Sequence, residues 1–188
     1  KELDQGAAYF QLQHMLNTKL LDSMRFPLKP ELLVTLSGAG TTFPLTVVRG
    51  RERHHLLSLT SSDFAFDMKA AHETSRETAK LESIWAYVDP AAGGANGDET
   101  AYAVGGILNS NIYLLSVGGV PGGYDEYKLK ELIARLTRFP INGVTVEKNM
   151  GYGAFTTVLT PLLRQRTQCA IEDDLVSGQK ERRIINTI

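Results

Sequence analysis

The order of apolar segments in the second half of the chain constrains its fold most strongly. Three such runs follow one another from residue 84 onward, IWAYV, AYAVGGIL and NIYLLSVGGV. Their β-branched and aromatic content predicts strands, the last two joined by a tight turn at Asn109 to Asn111. Helix and strand patterns then alternate: GYDEYKLKELIARLTRF (helix), GVTVE (strand), YGAFTTVLTPLLRQR (helix), QCAIE (strand) and KERRIINTI (start of a last helix).

The predicted order, β-β-β-α-β-α-β-α, discriminates between α/β folds. A doubly wound nucleotide-binding fold requires a helix after the first strand, and none fits between Asp89 and Thr100. The order is typical instead of the ribonuclease H-like fold, an α/β fold whose mixed sheet is flanked by helices on both faces. In that topology IWAYV and GVTVE are neighbours at the centre of the sheet.

The first 80 residues have a weaker pattern. Apolar residues spaced close to 3.6 predict one helix or two short ones within residues 6–25, and Pro27 and Pro30 end that segment. Short β-like pieces follow in residues 31–66, and the polar residues 67–82 are expected to form a linker or an exposed helix. We therefore expect residues 1–80 to be an N-terminal linker or extension packing on the core, and residues 81–188 to be the core domain.

Composition excludes several classes of protein. The chain has 188 residues with a net charge of −1, so overall charge argues neither for nor against nucleic acid. Cys169 is the single cysteine, which excludes an internal disulfide and makes a cysteine zinc site improbable. The sequence has no apolar run of membrane-spanning length and no secretory pattern, so we expect an intracellular, soluble protein without membrane contact.

Acidic residues lie at the ends of two predicted strands. Asp89 ends the first strand and Glu147 the fourth, and the topology brings these ends together at one edge of the sheet. Two carboxylates so placed repel each other, and Mg²⁺ relieves this repulsion by binding carboxylates, water and substrate phosphate. The alternatives are a turn-forming aspartate and a solvated strand end.

Other acids are weaker candidates. Asp98 is an additional metal ligand candidate in the glycine-rich loop, where both it and Glu99 can equally belong to a polar turn facing water. Asp173 and Asp174 follow the fifth strand and are interpreted as a helix-entry or loop pair.

Anion contacts are predicted on both sides of the second helix pattern. NMGYGAF looks like a helix start preceded by glycines, whose amides can bind a phosphate, although a tight turn explains it equally. Basic side chains near residue 180 can contact a DNA backbone or form a solvated face. The candidate DNA- or phosphate-binding residues are Lys148, Asn149, Gly151, Gly153, Lys180, Arg182 and Arg183. No GxxxxGK[ST] or GxSxG motif occurs, so this chain has no P-loop ATPase motif.

Three blocks carry a resemblance to a known family: YVDPAAGGANGDETAYAV, VTVEKNMGYGAFTTVLTPLL and KERRIINTI. In this order they resemble the C-terminal nuclease domain of the large terminase subunit of tailed bacteriophages, in the branch found in short-tailed podophages. That branch has a strand ending in Asp-Pro, a glycine-rich loop, Asp-Glu-Thr, a Glu-x-Asn-x-Gly-x-Gly-x-Phe segment and Lys-Glu-x-Arg-Ile. The early FQLQHMLNTKLLDSMRFPLK is similar to the passage that joins motor and nuclease.

The resemblance implies a metal-dependent endonuclease that hydrolyses phosphodiester bonds of double-stranded concatemeric DNA during genome packaging. It implies a two-metal site for Mg²⁺ or Mn²⁺, with Asp89 as the first family acid and Glu147 as the second. The implied partners are double-stranded DNA and, in the full-length protein, the ATPase motor domain, the small terminase subunit and the portal. The implied location is the host cell cytoplasm, on the procapsid during packaging and not in the mature virion.

Two departures from the family pattern accompany the resemblance. The motor's ATP-binding motifs are missing, and the family's third acid is expected beyond Ile188, so we expect an incomplete metal site and weak cleavage. One alternative function is a catalytically silent DNA- or portal-docking module of the same fold. Another is an actin- or sugar-kinase-like phosphotransferase lobe, which requires a second repeat that 188 residues leave no room for.

Overall fold

A computed structural model describes residues 33–36, 41–50, 56–60, 65–93, 97–148 and 153–175. The predicted helix within residues 6–25 and the predicted last helix from residue 180 lie outside these ranges. The described strands are β1 (Val34–Thr35), β2 (Phe43–Pro44), β3 (Val47–Arg49), β4 (Leu56–Thr60), β5 (Ala65–Thr74), β6 (Thr78–Ala79), β7 (Ser83–Asp89), β8 (Glu99–Leu108), β9 (Asn111–Pro121), β10 (Gly143–Glu147) and β11 (Ala170–Asp174). The described helices are α1 (Glu126–Leu136) and α2 (Ala154–Arg164).

The described residues divide into two compact units. Residues 33–36, 47–50, 56–60 and 65–74 belong to the first unit, and residues 41–46, 75–93, 97–148 and 153–175 to the second. In the first unit β5 pairs in parallel with β1 and antiparallel with β3 and β4.

The expected linker or exposed helix in residues 67–82 is wrong, because β5 and β6 occupy much of this segment. Its polar composition obscures a period-two pattern in which Phe66, Met68 and Ala70 alternate with Asp67 and Lys69. Such alternation is the signal of a strand with one buried face.

The main sheet of the second unit has the strand order β11-β10-β7-β8-β9. Strands β7, β8 and β9 form an antiparallel meander, while β10 is parallel to both β7 and β11. The predicted strand order and the central β7–β10 pair are therefore confirmed. The predicted tight turn is also present, since Asn109 and Ser110 have φ values of 49° and 61°, as in a two-residue type I′ hairpin.

One face of this sheet and both described helices form the hydrophobic core. Successive strand residues point to opposite faces, so alternate residues of β7, β8 and β10, and Val120 of β9, reach the core. The buried strand residues are Ile84, Ala86, Val88, Tyr102, Val104, Val120, Val144 and Val146, and the buried helix residues are Leu129, Leu132, Ile133, Leu136, Phe155, Leu159 and Leu163. Leu129, Leu132, Ile133 and Leu136 form the apolar face of α1.

The opposite face of the sheet carries the alternate residues of each strand. Its apolar side chains include the exposed Trp85, Ile107, Ile112, Leu114 and Val117. Near the carboxyl ends of β7, β10 and β11 the same face becomes acidic. In the part of the chain that the structure describes, no helix is long and apolar enough to cross a membrane.

A short two-stranded sheet, β2 with β6, lies beside the β8–β9 hairpin. The hydroxyl of Tyr113 donates a hydrogen bond to the carbonyl of Pro44 at 2.5 Å, and its ring lies 5.0 Å from that of Phe43. The side-chain Nδ2 of Asn109 donates to the carbonyl of Leu45 at 2.8 Å. These contacts are at the end of the sheet away from the acidic edge, because Tyr113 pairs with Gly106 and Gly106 pairs with Ile84.

Candidate acidic site at the carboxyl edge of the sheet

Three neighbouring parallel strands each end in an acidic residue. Asp89 ends β7, Glu147 ends β10 and Asp174 ends β11. Glu147 pairs with Asp174, and the preceding pair Val146 and Val88 places Glu147 one position past the β7–β10 ladder, beside Asp89. Side chains alternate between the two faces along each strand, and paired residues of neighbouring strands point to the same face. By this rule all three residues point to the same face as Trp85 and Tyr87, which is opposite to the helices and to the buried Val88.

A tyrosine hydroxyl connects two of these acids. The Tyr87 hydroxyl oxygen lies 3.2 Å from Oε2 of Glu147 and 3.2 Å from Oδ2 of Asp174. Glu147 is buried, with 5% of its surface exposed, whereas Asp174 is exposed. A phenol has one proton to donate, so the two carboxylates converge on one donor.

The electrostatic environment keeps that proton on the phenol. The pKa of Tyr87 is raised, first by burial and then by the negative charges and hydrogen bonds of Glu147 and Asp174. Both causes penalise a tyrosinate anion. Tyr87 therefore acts as a neutral hydrogen-bond donor across the ends of β10 and β11.

The interpretation of Asp173 and Asp174 as a helix-entry or loop pair is wrong, since both residues belong to β11. Their side chains point to opposite faces because they are adjacent in a strand. Asp174 lies beside Glu147, whereas Asp173 accepts a hydrogen bond from Thr156 Oγ1 at 2.5 Å and pairs with Lys148 Nζ at 3.2 Å. The signal that identifies Asp174 is its place at the end of a third parallel strand.

Lys148, one of the predicted phosphate contacts, is held by its ion pair with Asp173. Its backbone amide also donates to the carbonyl of Asp174 at 2.9 Å. The pKa of Asp173 is lowered, chiefly by the hydrogen bond from Thr156 and then by Lys148, against an opposing effect of burial. The Lys148 ammonium is thus committed to a carboxylate on the helix side of the sheet.

Among the other predicted phosphate contacts, Gly153 is described and has a structural reason to be glycine. It precedes α2 with a φ of 90° in the left-handed region, and a Cβ there would lie 3.0 Å from Cε of Lys148. Asn149, Gly151, Lys180, Arg182 and Arg183 lie outside the described residues.

The acids of the glycine-rich loop lie on the β8 side of Asp89. Asp98 is exposed immediately before β8 begins. Glu99 is exposed at the start of β8, and its carboxylate covers Gly119 of β9, where an added Cβ would collide with it. Because β9 is on the far side of β8 from β10, Glu99 points away from Glu147.

A buried threonine anchors the loop that follows Asp89. Thr100 Oγ1, with 1% of the residue exposed, accepts a hydrogen bond from the Ala91 amide at 3.1 Å. The Ala91 carbonyl in turn accepts one from the Gly123 amide at 3.0 Å. Gly122 packs closely against the same loop, and a Cβ added to it would lie 2.4 Å from the Asp98 carbonyl oxygen. In the sequence, Thr100 is in step with Tyr102 and Val104, the alternate residues of β8 that face the core, and this spacing is the signal for its inward position.

The donor chemistry of this edge fits a hard divalent cation. Within the described ranges, no group of three or more His, Cys, Asp or Glu side chains is arranged as a metal centre. Carboxylate oxygens nevertheless suit Mg²⁺ and Mn²⁺, and Mg²⁺ usually takes one or two protein carboxylates and completes its shell with water and substrate oxygens. Asp89 and Glu147 therefore fit a cation shared with a bound substrate rather than one enclosed by protein.

Comparison with known proteins agrees with this topology. The family model "Terminase Bacteriophage T7, Ribonuclease H-like domain" matches residues 88–188, more than half of the chain. The chain therefore belongs to this ribonuclease H-like terminase family, and the predicted fold class is confirmed. It is also 30% identical over 190 residues to the large terminase subunit of Enterobacteria phage T3, covering 100% of this chain and 32% of that protein. The chain thus spans about a third of the length of this curated relative.

Two solved structures show more distant similarity. One is the human cytomegalovirus terminase nuclease domain, in an inhibitor-bound crystal soaked with Mn, at 15% identity and a TM-score of 0.35, with 48% of this chain and 45% of that chain covered. The other is the fowlpox virus Holliday junction resolvase, also at 15% identity and a TM-score of 0.35, with 55% and 70% covered.

Proposed function

We propose that this domain is a metal-dependent endonuclease that hydrolyses phosphodiester bonds of double-stranded DNA during viral genome packaging. The observation that carries the proposal is the position of Asp89 and Glu147 at the ends of adjacent parallel strands in a terminase-type ribonuclease H-like sheet. Carboxylates at this position are suited to bind a cation together with a DNA phosphate.

The proposed roles follow from the position of each group. Asp89 and Glu147 supply the cation-binding oxygens, and the exposed Asp98 is an accessory candidate on the loop. Two Mg²⁺ or Mn²⁺ ions, when bound, supply activation of a water and stabilisation of the leaving oxygen. The hydrogen bonds to Ala91 hold the loop after Asp89 against Thr100 and Gly123, so the carboxylate is presented from an ordered backbone.

We propose DNA contacts at the residues that precede α2 in the sequence and at three basic residues near position 180. Gly153 at the start of α2 and the neighbouring Asn149 and Gly151 would approach a phosphate through backbone amides. Lys148 would contribute positive charge while paired with Asp173. Lys180, Arg182 and Arg183 would contact the DNA backbone as cations.

The wider setting of the proposal is genome packaging. In the full-length protein the partners would be the ATPase motor domain, the small terminase subunit and the portal. The protein would act in the host cell cytoplasm, on the procapsid, and would be absent from the mature virion. The large terminase subunit of phage T3 is the relative that supports this setting.

Nicking of covalently closed plasmid DNA in the presence of Mn²⁺ tests the proposal. We expect weak but measurable cleavage by the wild-type protein and at least a 100-fold loss in Asp89→Asn and Glu147→Gln, in line with the cost of removing one transition-state-stabilising group. Glu131→Gln is the matched control, because Glu131 lies on α1 and pairs with Arg135 at 2.8 Å.

The result also separates the alternatives. Wild-type protein that binds plasmid DNA without cutting it, with or without Mn²⁺, would contradict the nuclease and support the silent docking module. Cleavage that persists in both Asp89→Asn and Glu147→Gln would place the chemistry elsewhere. Transfer of a nucleotide phosphate to a small acceptor, without DNA cleavage, would support the phosphotransferase lobe.

A further inference from the structure

We propose that Tyr87 is a positioning residue of the acidic site, whose hydroxyl holds Glu147 and Asp174 together across the ends of β10 and β11. The inference deepens the proposed function and rests on it. Its basis is geometric, since one hydroxyl oxygen lies 3.2 Å from a carboxylate oxygen of each residue.

The backbone of Tyr87 is paired on both sides within the main sheet. Tyr87 pairs with Ala103 of β8 on one side and with Thr145 of β10 on the other, so its Cα is fixed within the centre of the sheet. From β7 the side chain reaches across β10 to the end of β11. The backbone from which the side chain extends is therefore held by two neighbouring strands rather than by a loop.

The two acids differ in how much they depend on that donor. Glu147 is almost fully buried, and hydrogen bonds matter most to a carboxylate removed from water. Asp174 lies on the outermost strand, β11, and is exposed. The single proton of the Tyr87 hydroxyl lies between the two carboxylates as a shared neutral donor, which reduces their mutual repulsion without introducing a cation that would compete with a metal ion.

A cation at Asp89 and Glu147 would depend on this arrangement. Groups that hydrogen-bond to metal-binding side chains orient them, and their loss typically costs about 10-fold to 100-fold in metal affinity or activity. Tyr87→Phe preserves the ring and its packing but removes the hydroxyl. We expect Glu147 to adopt a wider range of orientations in this variant, and the cation to bind more weakly.

The experiment measures Mn²⁺ binding directly, by the electron paramagnetic resonance signal of free Mn²⁺, together with the melting temperature. We expect Tyr87→Phe to weaken Mn²⁺ binding by about 10-fold. The matched control is Tyr113→Phe, which loses a partly buried tyrosine hydrogen bond, that to Pro44, at the other end of the sheet. We expect this control to lower the melting temperature and to leave Mn²⁺ binding unchanged.

The outcomes distinguish the inference from the proposed function. Wild-type Mn²⁺ affinity in Tyr87→Phe, with binding and cleavage intact in the wild type, would overturn the role of Tyr87 alone. No Mn²⁺ binding and no cleavage by the wild-type protein would overturn both. Equal weakening in Tyr87→Phe and Tyr113→Phe would show a general effect on stability and would also overturn the inference.

A double-mutant cycle tests whether Tyr87 acts together with Asp174. Asp174→Asn removes the charge and keeps an acceptor in nearly the same volume. If the two residues act as a unit, the combined loss of Mn²⁺ affinity in Tyr87→Phe/Asp174→Asn is smaller than the product of the single losses. A combined loss equal to that product would show that Asp174 does not act together with Tyr87.

Discussion

At the scale of single residues, Asp173 and Asp174 have opposite environments although they are adjacent in the chain. Asp174 lies beside Glu147 and the Tyr87 hydroxyl, while Asp173 lies on the helix side with Thr156 and Lys148. Strand alternation alone separates them. Asp89 and Glu147 were predictable because each ends a clear apolar strand, whereas Asp174 was not, because the acidic end of β11 looks like a loop in the sequence.

The pairing of Asp173 predicts a pH-dependent contribution to stability. At pH 7, Asp173→Ala should lower the free energy of unfolding by about 1 kcal/mol, since it removes a partly exposed ion pair and a hydrogen bond. The pKa of Asp173 is lowered in the folded protein. This contribution is therefore complete above the unfolded-state pKa of about 3.9 and is lost as the pH falls through the lower folded value.

Urea unfolding at pH 7 and near pH 3 measures this difference. Asp125→Ala is the control, because Asp125 is a more exposed aspartate that pairs with Lys128 at 3.0 Å. We expect the control to change stability little at either pH. A difference between Asp173→Ala and the wild type that stays constant or grows toward acidic pH would contradict the assignment.

At the scale of elements, the strands of the main sheet were predictable and β5 was not. Alternating apolar residues and the Asn109–Asn111 turn determine the β7–β9 meander, and the apolar face of α1 is equally clear. Strand β5 was missed because lysine, histidine and glutamate obscure its alternation. The packing of Gly122 against the loop after Asp89 could not be predicted from the sequence either, since it depends on a contact between segments distant in the chain.

The close packing of Gly122 predicts that even an alanine at this position lowers the stability of the protein. Gly122→Ala should destabilise the protein by about 1–3 kcal/mol, because its Cβ would lie 2.4 Å from the Asp98 carbonyl oxygen and force the backbone to move. Thermal unfolding measures the effect. Gly105→Ala is the control, because the nearest atom to its Cβ would be the Tyr113 carbonyl oxygen at an ordinary 3.6 Å. Equal melting temperatures for the two variants would contradict the close packing of this loop.

At the scale of the whole molecule, the second unit combines a core on one sheet face with an acidic edge on the other. The parallel β7, β10 and β11 bring their carboxyl ends to that edge, so the strand order itself creates the candidate site. Element order was sufficient to predict this fold and the adjacency of β7 and β10. The hydrogen bonds of Tyr87 were not predictable, because they depend on side-chain positions across three strands.

Diffraction from crystals of the protein soaked in Mn²⁺ tests the central claim most directly. Anomalous difference density reports the metal position independently of activity. The account predicts a peak in contact with the carboxylates of Asp89 and Glu147, and its loss in crystals of Glu147→Gln. A Mn²⁺ peak at another group of residues, or no peak at this edge in a protein that cleaves DNA with Mn²⁺, would contradict it.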